Sequence, residues 1–316
     1  MAIGMPVRNG EVHLEAALRS LLGQTWGEFV LIVSDDGSTD RTEEIVRDYA
    51  ACDERVVWDP SPHPSGANRN FNRAARLGFA RSPRWFKWAA HDDLCEPRYL
   101  ACCVEALERD PSVALAYAVT AYVDDEGAPL PTLLDQGWKA ASSDPVERFV
   151  DVLRDEWGVF YLYGVMRADA LASTSLMGPH WPADKALMAW MALLGRFVQT
   201  PEPLFVRRIH QTQSSSLSPR AQARWSSQGP ARWVPSPLWA TREYVKGISR
   251  SPLSAHDRRR AYVALARRYA LADKWRRVVA PGPNNYFGLG AQRPAPLPPG
   301  VTGVAPAPQA RIASVD

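Results

Sequence analysis

The sequence of 316 residues predicts an α/β fold: a mostly parallel sheet flanked by helices, with a helical C-terminal appendage. Three observations predict it. Short β-favouring apolar runs recur through the first hundred residues, as buried parallel strands require. Stretches with helical spacing separate them. Each run ends in a polar cluster, and polar residues at the carboxyl ends of such strands line the ligand crevice of open α/β sheets.

The elements follow in order. Ala2 to Val7 is a first strand, stopped by Asn9-Gly10. Leu14, Ala17, Leu18, Leu21 and Leu22 mark a helix, and Gly23 ends it. Phe29 to Val33 is a continuous strand run, closed by the turn cluster Ser34-Asp35-Asp36-Gly37-Ser38. Thr39 or Asp40 caps a helix carrying Ile45, Val46 and Tyr49. Arg55 to Trp58 is a third strand, Asn70 to Ala80 a helix, and Trp85 to Ala89 a fourth strand running into His91-Asp92-Asp93. Beyond it lie a helix (Arg98 to Arg109), a strand (Val113 to Val123), a loop-like stretch (128–147), a β-favouring aromatic stretch (Trp157 to Met166) and an apolar helix (Ala183 to Leu194). Residues 216–280 read as helical and Arg-rich, and 281–316 as a Pro-rich disordered tail.

The N-terminus lacks the basic and apolar regions of a signal peptide, and no apolar run reaches the roughly 18 residues that span a bilayer. The four cysteines form no C-x-x-C pair, so neither a zinc site nor a disulfide framework is expected. The net charge of +3 conceals a split. Residues 1–215 hold 21 basic and 30 acidic side chains, residues 216–280 hold 14 and 3, and the tail adds +1.

Three acidic features fall where strands end or a helix begins. Asp35-Asp36 can accept hydrogen bonds from a base or a ribose, although a strand-ending Asp-Gly is by itself a turn. Asp92 and Asp93 repel each other unless a cation or donors offset the charge, and hard oxygen ligands suit Mg²⁺ or Mn²⁺. Asp184 opens an apolar helix, where a carboxylate also complements the helix dipole.

Six segments occur in order: Met5-Pro6-Val7-Arg8-Asn9-Gly10, Leu18 to Thr25 with its Gln24-Thr25 ending, Val33 to Thr42, Gly66 through Ala74, His91-Asp92-Asp93, and Pro203 to His210. Together they resemble the inverting glycosyltransferases of family 2, which have the GT-A fold, over roughly residues 2–215. The resemblance implies three regions: a catalytic domain (1–215), the basic helical appendage (216–280) and the tail (281–316). It implies that Asp36, with Asp35 as the alternative, contacts the base. Pro6, Val7 and Arg8 would line the nucleotide pocket, one of Arg69, Asn70 and Asn72 would face the nucleotide, and Asp92 would lie near the ribose or donor sugar. Asp93 and His210 would hold a divalent cation, Mg²⁺ or Mn²⁺, and Asp184 would be the catalytic base. Two departures stand out: Arg8 replaces the usual aromatic before Asn9, and His91 replaces the first Asp of Asp-x-Asp. Trp157, Tyr161, Tyr163 and Trp181 are candidate acceptor walls, since sugar rings stack on aromatic faces.

These readings converge on transfer of one sugar from a nucleotide-sugar donor to a glycan, lipid-linked or secondary-metabolite acceptor. The alternatives are a non-catalytic sugar- or nucleotide-binding protein of the same fold, or a sugar-phosphate nucleotidyltransferase. The second would carry a Gly-rich basic loop after the first strand. A nicotinamide dehydrogenase would carry G-x-G-x-x-G there, which is absent. No recognition motif for nucleic acid accompanies the positive charge. The basic segment then has two readings: docking on the acidic domain or a homodimer, and contact with an anionic surface. A cytoplasmic location follows, with peripheral contact at the inner membrane face under the second of these.

Overall fold

The computed structural model describes residues 1–131, 140–154, 159–180, 183–211, 213–214, 217, 219–226 and 236–270. Trp157, Trp181 and the Pro-rich tail lie outside them. Eight strands form one sheet: β1 (Ala2–Val7), β2 (Val30–Asp35), β3 (Val56–Pro60), β4 (Trp85–Trp88), β5 (Leu94–Cys95), β6 (Val113–Val123), β7 (Val165–Arg167) and β8 (Arg196–Arg208). Their order is β3-β2-β1-β4-β7-β6-β8-β5. β1 pairs in parallel with both β2 and β4, β2 with β3, and β6 with β8. β7 runs antiparallel to β4 and β6, and β5 antiparallel to β8. The mostly parallel sheet read from the sequence is therefore present, interrupted by the short antiparallel β7 and edged by the short antiparallel β5.

The helices among the described residues are α1 (Leu14–Leu22), α2 (Thr42–Cys52), α3 (Ala67–Phe79), α4 (Tyr99–Arg109), α5 (Pro145–Arg154), α6 (Ala168–Ala172), α7 (Ala183–Leu194), α8 (Pro219–Ser226), α9 (Ser236–Arg250) and α10 (Ala255–Ala270). The sheet separates two cores. Ile3, Met5, Leu31 and Val33 pack with Leu14, Leu18 and Leu21 of α1 and Leu100, Cys103 and Leu107 of α4. Phe86 and Trp88 pack on the other side with Phe71 and Ala75 of α3, and that core continues through Phe149, Leu187, Met191, Tyr244 and Leu265. β1 is buried along its whole length because helices cover both of its faces. At Gly4 a Cβ would lie 3.0 Å from Ala74 Cβ, so glycine sets the close approach of α3 to β1.

Two expectations change. The stretch from Trp157 to Met166 is not a long strand, for Phe160–Tyr163 form a 3₁₀ turn and strand geometry starts at Val165. Helix α3 starts at Ala67, three residues before the expected Asn70, because Gly66 (φ 95°) turns the chain directly into it. The basic segment is helical where described, and it packs on the catalytic unit. Gly247 of α9 lies against Trp190 of α7, and Tyr244 meets Phe149 edge-on at 6.0 Å. Arg260 of α10 pairs with Asp144 at 2.7 Å. No helix among the described residues is long and apolar enough to cross a membrane.

Candidate active site

The loops after β1 and β2 are stitched to one another. Asn9 N donates to Ser38 Oγ (2.8 Å), Gly10 N to Thr42 Oγ1 (2.8 Å) and Glu11 N to Asp40 Oδ2 (3.0 Å). In return, Thr39 N donates to Asn9 Oδ1 and Arg41 N to Glu11 Oε2. Arg41, and not the expected Thr39 or Asp40, is the N-cap residue of α2, while Asp40 Oδ1, one residue before it, accepts from Thr42 N. Much of the Ser34-to-Thr42 segment is therefore scaffold. Gly37 holds φ at 71°, and a Cβ there would lie 3.1 Å from Pro64 N. Gly37→Ala is expected to cost about 1–2 kcal/mol in denaturant unfolding, from the left-handed backbone alone.

Asp36 is buried and fastens the entry to α3: its Oδ1 accepts from Ser65 N and Oγ (2.8 and 2.7 Å), its Oδ2 from Gly66 N (2.9 Å). Asp35 Oδ1 accepts from Ser38 N and Oγ, while its Oδ2 accepts from no described residue. The geometry thus favours Asp35 over Asp36 as the carboxylate left for a ligand. Pro6 and Val7 are buried beside them, and Val7 O already accepts from Asp36 N (2.9 Å). Arg8 stands exposed at the carboxyl end of β1.

Arg69, Asn70 and Asn72 differ in placement. Asn70 ties three elements: its Nδ2 donates to Val7 O and Ser34 O, and its Oδ1 accepts from Ser34 Oγ (2.7 Å). Asn72 pairs through both amide atoms with the Met177 main chain. Both are buried, and their amides hold the protein together rather than a nucleotide. Arg69 is exposed and remains the candidate.

On the far side of β1, the His91-Asp92-Asp93 turn is braced by β8. His210 Nε2 lies 3.0 Å from Asp92 Oδ2. Asp93 Oδ1 accepts from Arg208 N (3.0 Å). The Arg208 guanidinium donates to Asp92 O (3.3 Å), Asp124 O (3.1 Å) and Asp125 O (2.7 Å), joining three segments. Nearby, His13 pairs with Asp125 at 3.0 Å and its ring sits 5.1 Å from that of His210. Burial disfavours the Asp92 charge, but the hydrogen bond from His210 and the neighbouring imidazoles outweigh it and hold the carboxyl below the ordinary range. Asp93 moves the opposite way, raised by burial and by the Asp92 charge.

Asp184 sits half-buried in the first turn of α7, where its Oδ1 accepts from Lys185 N (2.8 Å). Burial raises its pKa above the usual carboxylate value. Burial pushes the Tyr163 phenol upward, and the charges of Asp93, Asp92 and Asp184 add to that. Its ring stacks on Phe205 at 5.7 Å. Tyr161, by contrast, packs between Tyr117 and Phe197 in the core and is 2% exposed, which takes it out of the acceptor wall.

Sequence reasoning missed three anchors. Asn68 Nδ2 donates to Gly178 O and His180 O, fixing the loop that leads to Asp184. Gln24 Nε2 donates to Cys95 O and Glu96 O while its Oε1 accepts from Leu100 N, fixing the chain after Asp93. Arg208 is the third. The Gln24-Thr25 segment stood out in the sequence, but nothing in one dimension shows what an amide or guanidinium will reach.

Among the described residues no three His, Cys, Asp or Glu side chains converge on one ion. The hard oxygens of Asp93 suit Mg²⁺ or Mn²⁺, and the crowded charge of Asp92 and Asp93 favours a cation, but the described residues alone do not complete a shell.

An open α/β sheet carrying acidic groups at its strand ends is the architecture of the GT-A glycosyltransferases. The chain belongs to glycosyl transferase family 2, whose model matches residues 2–167. It is 30% identical to the chondroitin synthase of Escherichia coli over 129 residues, 40% of this chain and 18% of that one. An uncharacterized glycosyltransferase of Haemophilus influenzae shares 23% over 220 residues, 66% of this chain and 65% of that protein. Among solved structures, S. aureus TarS 1–349 in complex with UDP-GlcNAc superposes with a TM-score of 0.62 at 16% identity, covering 89% of this chain and 76% of that one. The chain spans about a third or less of the length of the first curated relatives it matches.

Proposed function

We propose that the protein transfers one sugar from a nucleoside-diphosphate sugar to an acceptor hydroxyl or amine, with inversion at the anomeric carbon. The observation that carries this reading is the His91-Asp92-Asp93 turn, fixed by His210 on Asp92 and by the Arg208 amide on Asp93, with the separate carboxylate of Asp184 opening α7. The paired carboxylates suit a cation that would carry the diphosphate, and Asp184 offers a separate carboxylate for an acceptor. Family membership and the UDP-GlcNAc complex of TarS support a nucleotide-sugar donor.

In this reading Asp35 Oδ2 accepts from the base, and Arg8 and Arg69 bring positive charge to the phosphates. Asp92, held by His210, lies beside the ribose or sugar. Asp93, with His210 as second candidate, would hold a divalent cation, which when bound neutralises charge on the leaving diphosphate. Asp184 takes the proton from the acceptor O–H or N–H. The acceptor lone pair forms the new bond to the anomeric carbon, and the old carbon–oxygen bond breaks with its electron pair leaving on the diphosphate. The raised pKa of Asp184 brings its basicity nearer to neutral pH. Residues 1–215 form the catalytic unit and 216–280 its docked appendage.

UDP-, GDP- and dTDP-sugars, with and without Mn²⁺, are to be compared by thermal shift. One of them is expected to raise the melting temperature, and Asp93→Ala to abolish the metal-dependent part. If none stabilises the protein and Asp93→Ala matches the parent, the transfer reading fails.

A further inference from the structure

Exposed apolar side chains and unpaired arginines coincide on the appendage. Among the described residues, the large hydrophobic side chains left exposed are Val12, Trp225, Leu238, Val245 and Val263. Four of these five lie within residues 216–280, the segment with 14 basic and 3 acidic residues. Inward faces do not explain them. α9 turns Tyr244 and Ile248 to the core, and α10 turns Ala261 and Leu265 inward.

The outward stripes repeat at helical spacing. On α9 they are Leu238, Arg242, Val245 and Ser249, and on α10 Arg259, Val263 and Arg267. Arg242, Arg250, Arg259 and Arg267 are exposed, and none forms an ion pair with a described residue, although the Arg242 guanidinium lies over the Trp239 ring at 5.2 Å. The acids of these helices are already engaged: Glu243 by Ser175 and Lys246, Asp257 by Ser254 and Arg260. A shallow depression on α10 is lined by Ala255, Arg258, Arg259, Tyr262, Val263 and Ala266, so cationic and apolar groups share one patch.

We propose that the outward faces of α9 and α10 bind the surface of a bilayer containing anionic lipid. Aliphatic side chains enter the headgroup boundary while guanidinium groups meet lipid phosphates, the combination that interfacial helices use. A second copy of the chain is disfavoured as the occupant, since it would set arginine against arginine with no acid on either outward stripe. The proposal does not depend on the transfer reading. It gains a consequence from it, because Trp239 of α9 stacks on His180 (rings 9° apart), close in sequence to Asp184, so the bilayer-facing helix also reaches the loop before the base.

The full chain is to be sedimented with phosphatidylcholine vesicles and with phosphatidylcholine–phosphatidylglycerol vesicles. Binding is expected to the mixed vesicles only, and to weaken as salt rises. The double variant Arg259→Glu/Arg267→Glu is expected to bind at least about 25-fold more weakly, and Val263→Asp also to lose affinity, both with unchanged melting temperature. Inorganic phosphate at matched ionic strength is expected not to compete better than chloride. No binding to mixed vesicles, or equal binding by the double variant, overturns the proposal. So does a concentration-dependent dimer that Val263→Asp dissociates while vesicles remain unbound. Neither readout requires sugar transfer, so failure here leaves the active-site reading standing.

Discussion

Asp184→Asn is expected to lower kcat by about 10³-fold, within the range for removing a general base. The fold should not suffer. Asn keeps an acceptor oxygen for Lys185 N, which Asp184 Oδ1 now accepts from at 2.8 Å. Burial raises the carboxyl pKa from its ordinary value of 3.8, so the folded protein holds this proton more tightly than the unfolded chain. The stability linked to that proton is fully present below the unfolded value and is lost as pH rises through the raised folded value. At neutral pH the ionised, desolvated carboxylate is therefore a liability, and the Asn variant should be at least as stable as the parent. Denaturant midpoints of both proteins against pH check this: the parent should decline relative to the variant across that window. For the reaction the sign is opposite. The base must be ionised, so kcat/KM falls as pH drops through the raised pKa, and the acid limb lies above the normal carboxylate range. Full turnover by Asp184→Asn, with intact folding, removes Asp184 from the mechanism.

Arg208→Leu is expected to be the most destabilising single change near the site. It strips donors from three main-chain carbonyls, those of Asp92, Asp124 and Asp125. At about 1 kcal/mol for each lost bond, the cost is about 3 kcal/mol. Asp93 keeps its bond to the residue 208 amide, which leucine retains, so the loss is in the brace and not in that contact. Chemical denaturation measures the stability, and nucleotide affinity reports the looser turn. Arg208→Lys should recover less than half, because an ammonium cannot span three carbonyls as a planar fork does. A Leu variant of unchanged stability would show that water replaces the guanidinium.

How much was legible in the sequence follows from these contacts. The parallel strands β1 to β4 were legible because helices cover both faces, leaving uninterrupted apolar runs such as Phe29 to Val33. The acidic features were legible because they follow such runs or open a helix. The antiparallel β5 and β7 were not, being two and three residues long with no room for alternation. Roles within polar clusters were illegible for another reason. Asn68 and Asn72 share a face of α3 toward the loop before α7, whereas Asn70 turns to β1 and β2 and Arg69 to solvent. Four neighbouring polar residues thus do different work, and only the segments around them decide which.

The asparagine contacts also bear on how such proteins can be recombined. The stretch matched by the family model stops at Arg167, ahead of Asp184. Asn68 and Asn72 lie inside that stretch, yet their partners, Met177, Gly178 and His180, lie beyond it. Their donor amides meet main-chain carbonyls, so the hydrogen bonds demand a backbone path and not particular side chains. A chimera joined after residue 167 must therefore inherit a matching loop shape, together with the loop side chains that meet α9, Ser175 on Glu243 and His180 on Trp239.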